Sequence, residues 1–288
     1  MKPPPFDYYD PSSLEEGLQL ISTLDEAKLL AGGQSLMPML NMRYLAPQSI
    51  VDLNRIEELR FCRSENSSVV IGAMTTQRDL AASPLIREQL PLLVEALSHV
   101  GHLQTRTRGT LGGSICHLDP AAELPVAALA LEATLQVRSA KEAREIAMGD
   151  FPTFYMTPDI MPAEILTEIT FPVRAAGTGY AFEELARRHG DFAIISVAVS
   201  LSLEAGQVTY ARVAVGGAGS VPQRAKLLED ALVGERPEDS VLDEAVRLST
   251  DIEYIADVHA TEEYRRHLFF VLARRALTRA ARQAASES

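Results

Sequence analysis

Two short glycine segments hold the residues best suited to chemistry in this 288-residue chain. The first, Ala31-Gly32-Gly33-Gln34-Ser35, leaves one apolar run and re-enters another at Leu36. The second, Thr110-Leu111-Gly112-Gly113-Ser114, sets the same Gly-Gly pair beside small hydroxyl side chains. Both are expected to follow an extended segment. Glycine permits positive φ and lets a ligand approach the backbone with no Cβ in the way. Successive N–H groups can then converge on an anion, with Ser35, Thr110 and Ser114 adding hydroxyl donors. Two such bonds per segment, at roughly 1.5–3 kcal/mol each, give about 6–12 kcal/mol in all. Nanomolar binding needs about 12 kcal/mol, so a dinucleotide whose ring system is also buried lies within reach. Neither segment has the G-x-G-x-x-G or G-x-x-x-x-G-K-[ST] spacing of the commoner phosphate loops. Singly, each Gly-Gly pair is equally an ordinary turn.

Other reactive side chains form weaker constellations. His99 and His102 have H-x-x-H spacing, but no third ligand stands nearby, so a solvated or loop-bonding role is expected. Cys116 and His117 are adjacent in sequence, with side chains expected to point apart, and a buried cysteine is more often packing than nucleophile. Met37, Met39 and Met42 read as core. No acid–base pair or activated serine emerges, so this chain alone is not expected to perform bond chemistry on a substrate. Its chemistry would belong to a cofactor that the protein orients. Cys62 and Cys116, the only cysteines, are too few to hold an iron–sulfur cluster.

These residues need elements to position them. The chain is 47% hydrophobic and 23% charged, as in ordinary soluble proteins, and its length suits about two domains. No apolar stretch nears the ~20 residues that span a bilayer. The N-terminal stretch does not read as a signal peptide, and separated cysteines predict reduced thiols in a cytoplasmic protein. A net charge of −12 is the wrong sign for nucleic-acid binding. The one basic run comprises Arg265, Arg266, Arg274, Arg275, Arg279 and Arg282. It reads either as a solvated helix face aided by its dipole or as a contact surface for an acidic partner.

The first ~50 residues read as strand, helix, strand, with Ser12-Ser13 capping a helix that opens on Glu15 and Glu16. "SIVDLNRI" and "SSVVIGAMT" are expected strands, and Leu80 to Val100 has helical periodicity. Asp119-Pro120 predicts the start of a buried helix of Ala, Val and Leu. "EILTEITFPV" predicts a strand ended by Pro172, and Arg174 to Gly179 has linker composition. Beyond it, "FAIISVAVSLSLEAG" and "QVTYARVAVGGAG" predict a hairpin. Helices are expected over Ala225–Val233, Val241–Thr250 and about Thr261 to Ala281. The order suits an antiparallel sheet backed by helices, an α+β arrangement.

Taken together, "AGGQSLMPMLNMR", "VDLNRI", "VIGAMTT", "RGTLGGSICHLDPAAELP" and "EILTEI…FPV" resemble the FAD-binding medium subunits of the molybdenum hydroxylases. These are relatives of xanthine dehydrogenase, aerobic carbon monoxide dehydrogenase and the bacterial N-heterocycle dehydrogenases. The resemblance runs from Met1 to about Ala281. It implies a two-part FAD-binding domain of the PCMH (vanillyl-alcohol oxidase-like) type over residues 1–176, with lobes 1–55 and 56–176. A C-terminal domain of antiparallel sheet and helices would follow over 177–288. It further implies that Ala31, Gly32, Gly33, Gln34, Ser35 and Leu36 wrap the FAD pyrophosphate. Thr110, Leu111, Gly112, Gly113 and Ser114 would contact the diphosphate and flavin side. Glu123 would hydrogen-bond the cofactor sugar, and Leu166 would lie near the adenine or flavin. Phe192 would cover the isoalloxazine ring, with Asp191 as its polar neighbour. The implied partners are a large molybdopterin subunit and a small subunit with two [2Fe–2S] clusters, assembled as a dimer of heterotrimers.

The chain departs from the family pattern at Thr105 and Thr107, which bear on the adenine-side contacts, and at Ser114, where many relatives have Asn. "SICHLDPAAEL" is closer to relatives that hydroxylate heterocycles or aldehydes than to those that oxidise carbon monoxide. The alternatives are a carbon monoxide dehydrogenase subunit, a self-contained flavin oxidase, and a scaffold subunit that keeps the fold without the cofactor.

Overall fold

A computed structural model describes residues 1–174 and 177–287. Among the described residues, the chain forms three larger sheets with helices on their faces and one small two-stranded sheet. In the first lobe, β1 (Asp7–Tyr9), α1 (Leu14–Thr23), β2 (Ala27–Leu30), α2 (Leu36–Asn41) and β3 (Ser49–Asp52) build a parallel sheet of order β1-β3-β2. Helix α1 starts where the sequence requires. The Ser13 hydroxyl accepts the Glu16 N–H at 3.2 Å, and Glu16 in turn accepts the Ser12 N–H at 2.8 Å. Its inner face (Leu14, Leu18, Ile21) closes a small core with Leu53, Ile56, Met74 and Ile165.

The second lobe contains β4 (Cys62–Glu65), β5 (Ser68–Gly72), α3 (Gln77–Ala82), α4 (Pro84–Gln89), α5 (Pro91–His99), α6 (Leu103–Arg108), α7 (Leu111–His117) and α8 (Glu123–Ala130). It continues through β6 (Thr134–Arg138), β7 (Ala143–Ala147), the small β8 (Pro152–Phe154) and β9 (Thr157–Pro158) pair, and β10 (Ile165–Pro172). Strand order in its antiparallel sheet is β4-β5-β10-β6-β7.

Three expectations are corrected in this lobe. Leu80–Val100 is three helices rather than one, because Pro84 and Pro91 each restart the chain at a first helical position. Asp119-Pro120 does not begin a helix; the Asp119 carboxylate accepts the Ala121 N–H at 2.9 Å in a local turn, and α8 begins at Glu123. The second glycine pair lies inside helix α7, after helix α6 rather than after an extended segment. Every residue of α8 is buried, as its composition requires.

The C-terminal part holds β11 (Thr178–Ala186), β12 (Ala193–Glu204), β13 (Gln207–Gly216) and β14 (Gln223–Arg224), in that spatial order and antiparallel throughout. Helices α9 (Lys226–Leu232), α10 (Asp239–Leu248) and α11 (Glu262–Glu287) follow. Ala205 (φ 50°) and Gly206 (φ 79°) turn the β12–β13 hairpin with the left-handed pair that its twist favours. Strand β11 begins at Thr178, inside the stretch read as linker; Ala175 and Ala176 of that stretch, and with them the expected boundary, lie outside the described residues.

Both faces of this sheet are buried. Ala181, Val197, Val199, Val213 and Val215 meet α11 and its neighbours, while Phe182, Ala198 and Ala214 join the core of the second lobe. Period-2 alternation thus turns one sheet into a bridge between two cores.

Charged side chains complete that junction. Glu132 accepts from Arg174, from Arg212 Nε at 2.6 Å and from Tyr210 at 2.9 Å. The basic run of α11 is mostly spoken for within the chain. Arg274 pairs with Asp239 and Asp243 at 2.6 and 2.5 Å, and Arg279 pairs with Glu95 and with Glu183. Arg265 is buried, donating to the Ile194 and Gly217 carbonyls at 2.5 and 2.6 Å. The methionine stripe is not core: Met42 is 50% exposed, and Met37 and Met39 are only partly covered.

Candidate functional site

The first glycine segment is an open loop between β2 and α2. Gly33 has φ +71°, a conformation that costs an ordinary residue about 1–2 kcal/mol. Gly32 faces the backbone that leads into the second glycine segment: a Cβ there would collide with the Arg108 carbonyl and lie 2.8 Å from Gly109 Cα. Two segments far apart in sequence therefore meet, and the missing side chain is what lets them. The loop is held from below, where Asn54 donates to the Ala31 carbonyl at 2.8 Å and is itself fixed by Asp52 at 2.6 Å. Gln34 folds back onto the Gly32 carbonyl at 3.1 Å. Among the described residues, the N–H groups of Gly33, Gln34 and Ser35 donate to no protein acceptor. Three consecutive unengaged amides on a left-handed turn suit an anion. Leu36 opens α2 behind them.

The second segment differs. Thr110 caps α7, its hydroxyl accepting the Gly113 N–H at 3.0 Å. Leu111 N–H donates to Thr75 O at 3.1 Å, Gly112 N–H to Ala73 O at 2.9 Å, and Ser114 N–H to Thr110 O at 3.2 Å. All four amides are engaged within the chain, so this segment presents no free cradle of donors. A Cβ on Gly112 would lie 2.6 Å from Ala73 Cβ, and one on Gly113 would lie 3.4 Å from Ala31 Cβ. Gly112 is therefore built for close approach to the β5 exit, while Gly113 packs against Ala31 of the first loop at ordinary contact distance. The Ser114 hydroxyl remains available.

Helix α6 links this junction to the far end of the site. At its C-terminal end, the Arg108–Gly109 peptide touches Gly32. At its N-terminal end, the His102 ring and Gly101 carbonyl close on Gly190, where a Cβ would lie 2.7 and 3.1 Å away. With six residues, α6 is about 9 Å long. Gly190 belongs to the β11–β12 turn that carries Asp191 and Phe192. Asp191 pairs with Arg188 at 3.2 Å, which holds its carboxyl below the usual range. Phe192 is 61% exposed.

The remaining site residues are buried. Glu123 begins α8 at 6% exposure; burial pushes its carboxyl up to about 7, and nearby Asp119 adds to the rise. Leu166 lies within the second core, beside Leu111 and Ile115. Thus Ala31–Leu36 and Thr110–Ser114 come together, Asp191–Phe192 reach them along α6, and Leu166 stays behind the site wall.

Sequence reasoning missed Glu184. In "FEELARR" it reads as one of several surface charges, yet its side chain is 4% exposed. Strand alternation carries the signal: Tyr180, Phe182 and Glu184 share the face that packs against the second lobe. His99, His102 and Cys116 also have places. His99 stacks near Phe182 at 5.3 Å, His102 covers Gly190, and burial pushes the Cys116 thiol up to about 12. Among the described residues, no cluster suited to a metal ion occurs.

Comparison with known proteins agrees with this geometry. Residues 4–174 match the FAD binding domain in molybdopterin dehydrogenase, and residues 180–280 match the CO dehydrogenase flavoprotein C-terminal domain. The chain belongs to the family of FAD-binding medium subunits of the molybdenum hydroxylases, and is an oxidoreductase subunit. Among its relatives, the caffeine dehydrogenase subunit beta of a Pseudomonas species is 39% identical, over 98% of this chain and 96% of that one. The 6-hydroxypseudooxynicotine dehydrogenase complex subunit alpha of Paenarthrobacter nicotinovorans is 37% identical, over 99% and 97%. In solved structures, a chain of carbon monoxide dehydrogenase from Hydrogenophaga pseudoflava superposes with a TM-score of 0.96 at 36% identity, covering 98% of this chain and 99% of that one.

The residues present fit FAD. The free amides of Gly33–Ser35 suit its pyrophosphate, and the glycine junction leaves room that side chains would fill. Among the described residues, no helix is long and apolar enough to cross a membrane.

Proposed function

We propose that FAD lies along the line from the glycine junction to the β11–β12 turn, with its pyrophosphate on Ala31–Leu36 and flanked by Thr110–Ser114. Glu123 meets the cofactor sugar, Asp191 and Phe192 flank the isoalloxazine ring, and Leu166 backs the wall. Bound there, FAD supplies the relay between one-electron [2Fe–2S] clusters and an external acceptor. The chain's own part is to bind, orient and shield. Gly32 allows the close approach, Gly33 turns the amides outward, and α6 sets the spacing between the pyrophosphate and ring ends.

The working unit is a cytoplasmic complex in which a large molybdopterin subunit hydroxylates an N-heterocycle, aldehyde or similar substrate. A small iron–sulfur subunit passes the electrons on, and the whole forms a dimer of heterotrimers. Division of the chain into residues 1–176 (lobes 1–55 and 56–176) and 177–288 follows the three sheets. The observation that carries this reading is contact between the two glycine segments beside three unengaged amides. The test is the visible spectrum of the purified complex, with the released chromophore identified by chromatography. About one FAD per chain is expected; a flavin-free complex would return the scaffold reading.

A further inference from the structure

Glu184 stands on β11 opposite Ser196 of β12, on the sheet face that meets the second lobe. Its side chain is 4% exposed, and its Oε2 has no hydrogen-bond partner. Ser196, fully buried, likewise has an unpartnered hydroxyl. Two neighbouring buried polar atoms without partners are unusual in a folded protein and call for an explanation. Glu184 lies on the strand that enters the Phe192 turn, and it interacts with Glu123.

Among the described residues around it, no arginine is free to pair with it. From α5, His99 Nδ1 stands 3.9 Å from Oε1, and Glu95 is occupied by the Phe182 N–H and Arg279. From α8 comes Glu123, with Asp119 before it and Arg106 of α6 acting on it. Arg106 is spent on the Val100 carbonyl at 2.7 Å. Arg187 and Arg188 face Asp191, His189 acts on His99, and Arg275 and Arg279 of α11 pair with Glu183 on the opposite sheet face. Burial and the neighbouring Glu123 carboxyl push Glu184 up to about 8.

We propose that Glu184 is a neutral, proton-holding carboxyl on the wall of the flavin site, and that its protonation is coupled to the flavin's charge. This inference rests on the flavin reading above. At neutral pH, Oε2 carries a proton and the wall is uncharged. At alkaline pH the carboxylate forms, and electrons delivered by the partner's iron–sulfur clusters raise the local negative charge. One proton from water then returns to Oε2 as FAD is reduced. The neutral His99 ring leaves the site without a compensating cation.

The test is the pH dependence of the flavin midpoint potential in the purified complex, followed spectroscopically from pH 6 to 9.5. In the wild type, the potential should fall more steeply above about pH 8. Glu184→Gln should match the wild type at pH 7, remove the steeper limb, and give the higher potential at pH 9. A wild-type profile with no break overturns the proposal without any variant, as does a break that survives in Glu184→Gln. Absence of FAD from the wild-type complex would instead overturn the flavin reading itself, so the two failures are distinguishable. As a second readout, FAD affinity of the cofactor-stripped wild type should weaken several-fold between pH 7 and pH 9; a constant affinity counts against the proposal.

Discussion

The two glycine segments share a sequence pattern and differ in almost everything else. Ala31–Ser35 is a loop with a left-handed glycine and unengaged amides, whereas Thr110–Ser114 is the capped first turn of a helix in which the Leu111, Gly112, Gly113 and Ser114 amides are all used. In the proposed reading the first glycine segment serves the cofactor through its backbone donors, and the second packs behind it as support. Identical residue types therefore fill two physical roles, one of recognition and one of support. The largest effect should fall where the roles meet. Gly32→Val drives a Cβ into the Arg108–Gly109 backbone, which neither chain can vacate. It should cost upwards of about 4 kcal/mol and abolish FAD binding, as read by thermal unfolding and flavin content. A variant that kept full FAD would dissolve the contact on which the site is built.

Smaller changes separate the two roles. Gly33→Ala must keep φ at +71°, at a cost of about 1–2 kcal/mol, and its effect should appear in flavin affinity because this turn aims the free amides. Thr110→Val removes the α7 cap, worth about 1 kcal/mol, and should lower the melting temperature while weakening FAD binding less than Gly33→Ala does. Titration of the stripped protein with FAD, set beside thermal unfolding, reads both. If Thr110→Val lost affinity as strongly as Gly33→Ala, the division between recognition and support would fail.

The same contrast explains what could be read in the sequence. Glycines leaving the apolar Ala27–Leu30 strand announce an exposed turn, so the first loop was legible. Gly112 and Gly113 looked alike because glycine is a poor helix former, yet contact with Ala73 at Gly112, and the capping Thr110 hydroxyl 2.7 Å from a Cβ on Gly113, favour glycine inside α7. The breaks at Pro84 and Pro91 were present in the sequence but overridden by apolar periodicity. The arginines of α11 were read as solvated or as a partner surface because Asp239, Asp243, Glu95 and Glu183 lie far off along the chain. Glu184 was hidden for a related reason: charge suggests surface, and only the pairing of β11 with β12 shows that its face is covered.

Two carboxylates at the lobe junction sharpen the comparison through pH. Burial pushes Glu132 up, but Arg212, Tyr210 and Arg174 outweigh it and leave the carboxyl below the ordinary 4.5. Its contribution is present above that value and lost as pH falls through the depressed folded pKa. Burial raises Glu123 to about 7 from 4.5, so its contribution is complete below 4.5 and lost as pH rises toward 7. The wild-type melting temperature, with flavin removed, should therefore decline from pH 5 to pH 8. Glu123→Gln should flatten part of that decline and leave the acid limb unchanged. A variant with an undiminished alkaline decline would mean that Glu123 is not held neutral in the folded chain.

The smallest effect on stability belongs to Phe192. At 61% exposure its ring has little protein contact to lose, and Gly190, Asp191 and His102 hold the turn without it. Phe192→Ala should thus unfold with the wild type and keep FAD at about one per chain. What should change is access to the ring end: reoxidation of the reduced complex by small acceptors should become faster or slower, with the spectrum of bound flavin shifted by the lost aromatic neighbour. Stopped-flow reoxidation beside flavin content separates the possibilities. If both reoxidation and spectrum matched the wild type, Phe192 would be only a surface residue of the turn, and the ring-cover role would fall.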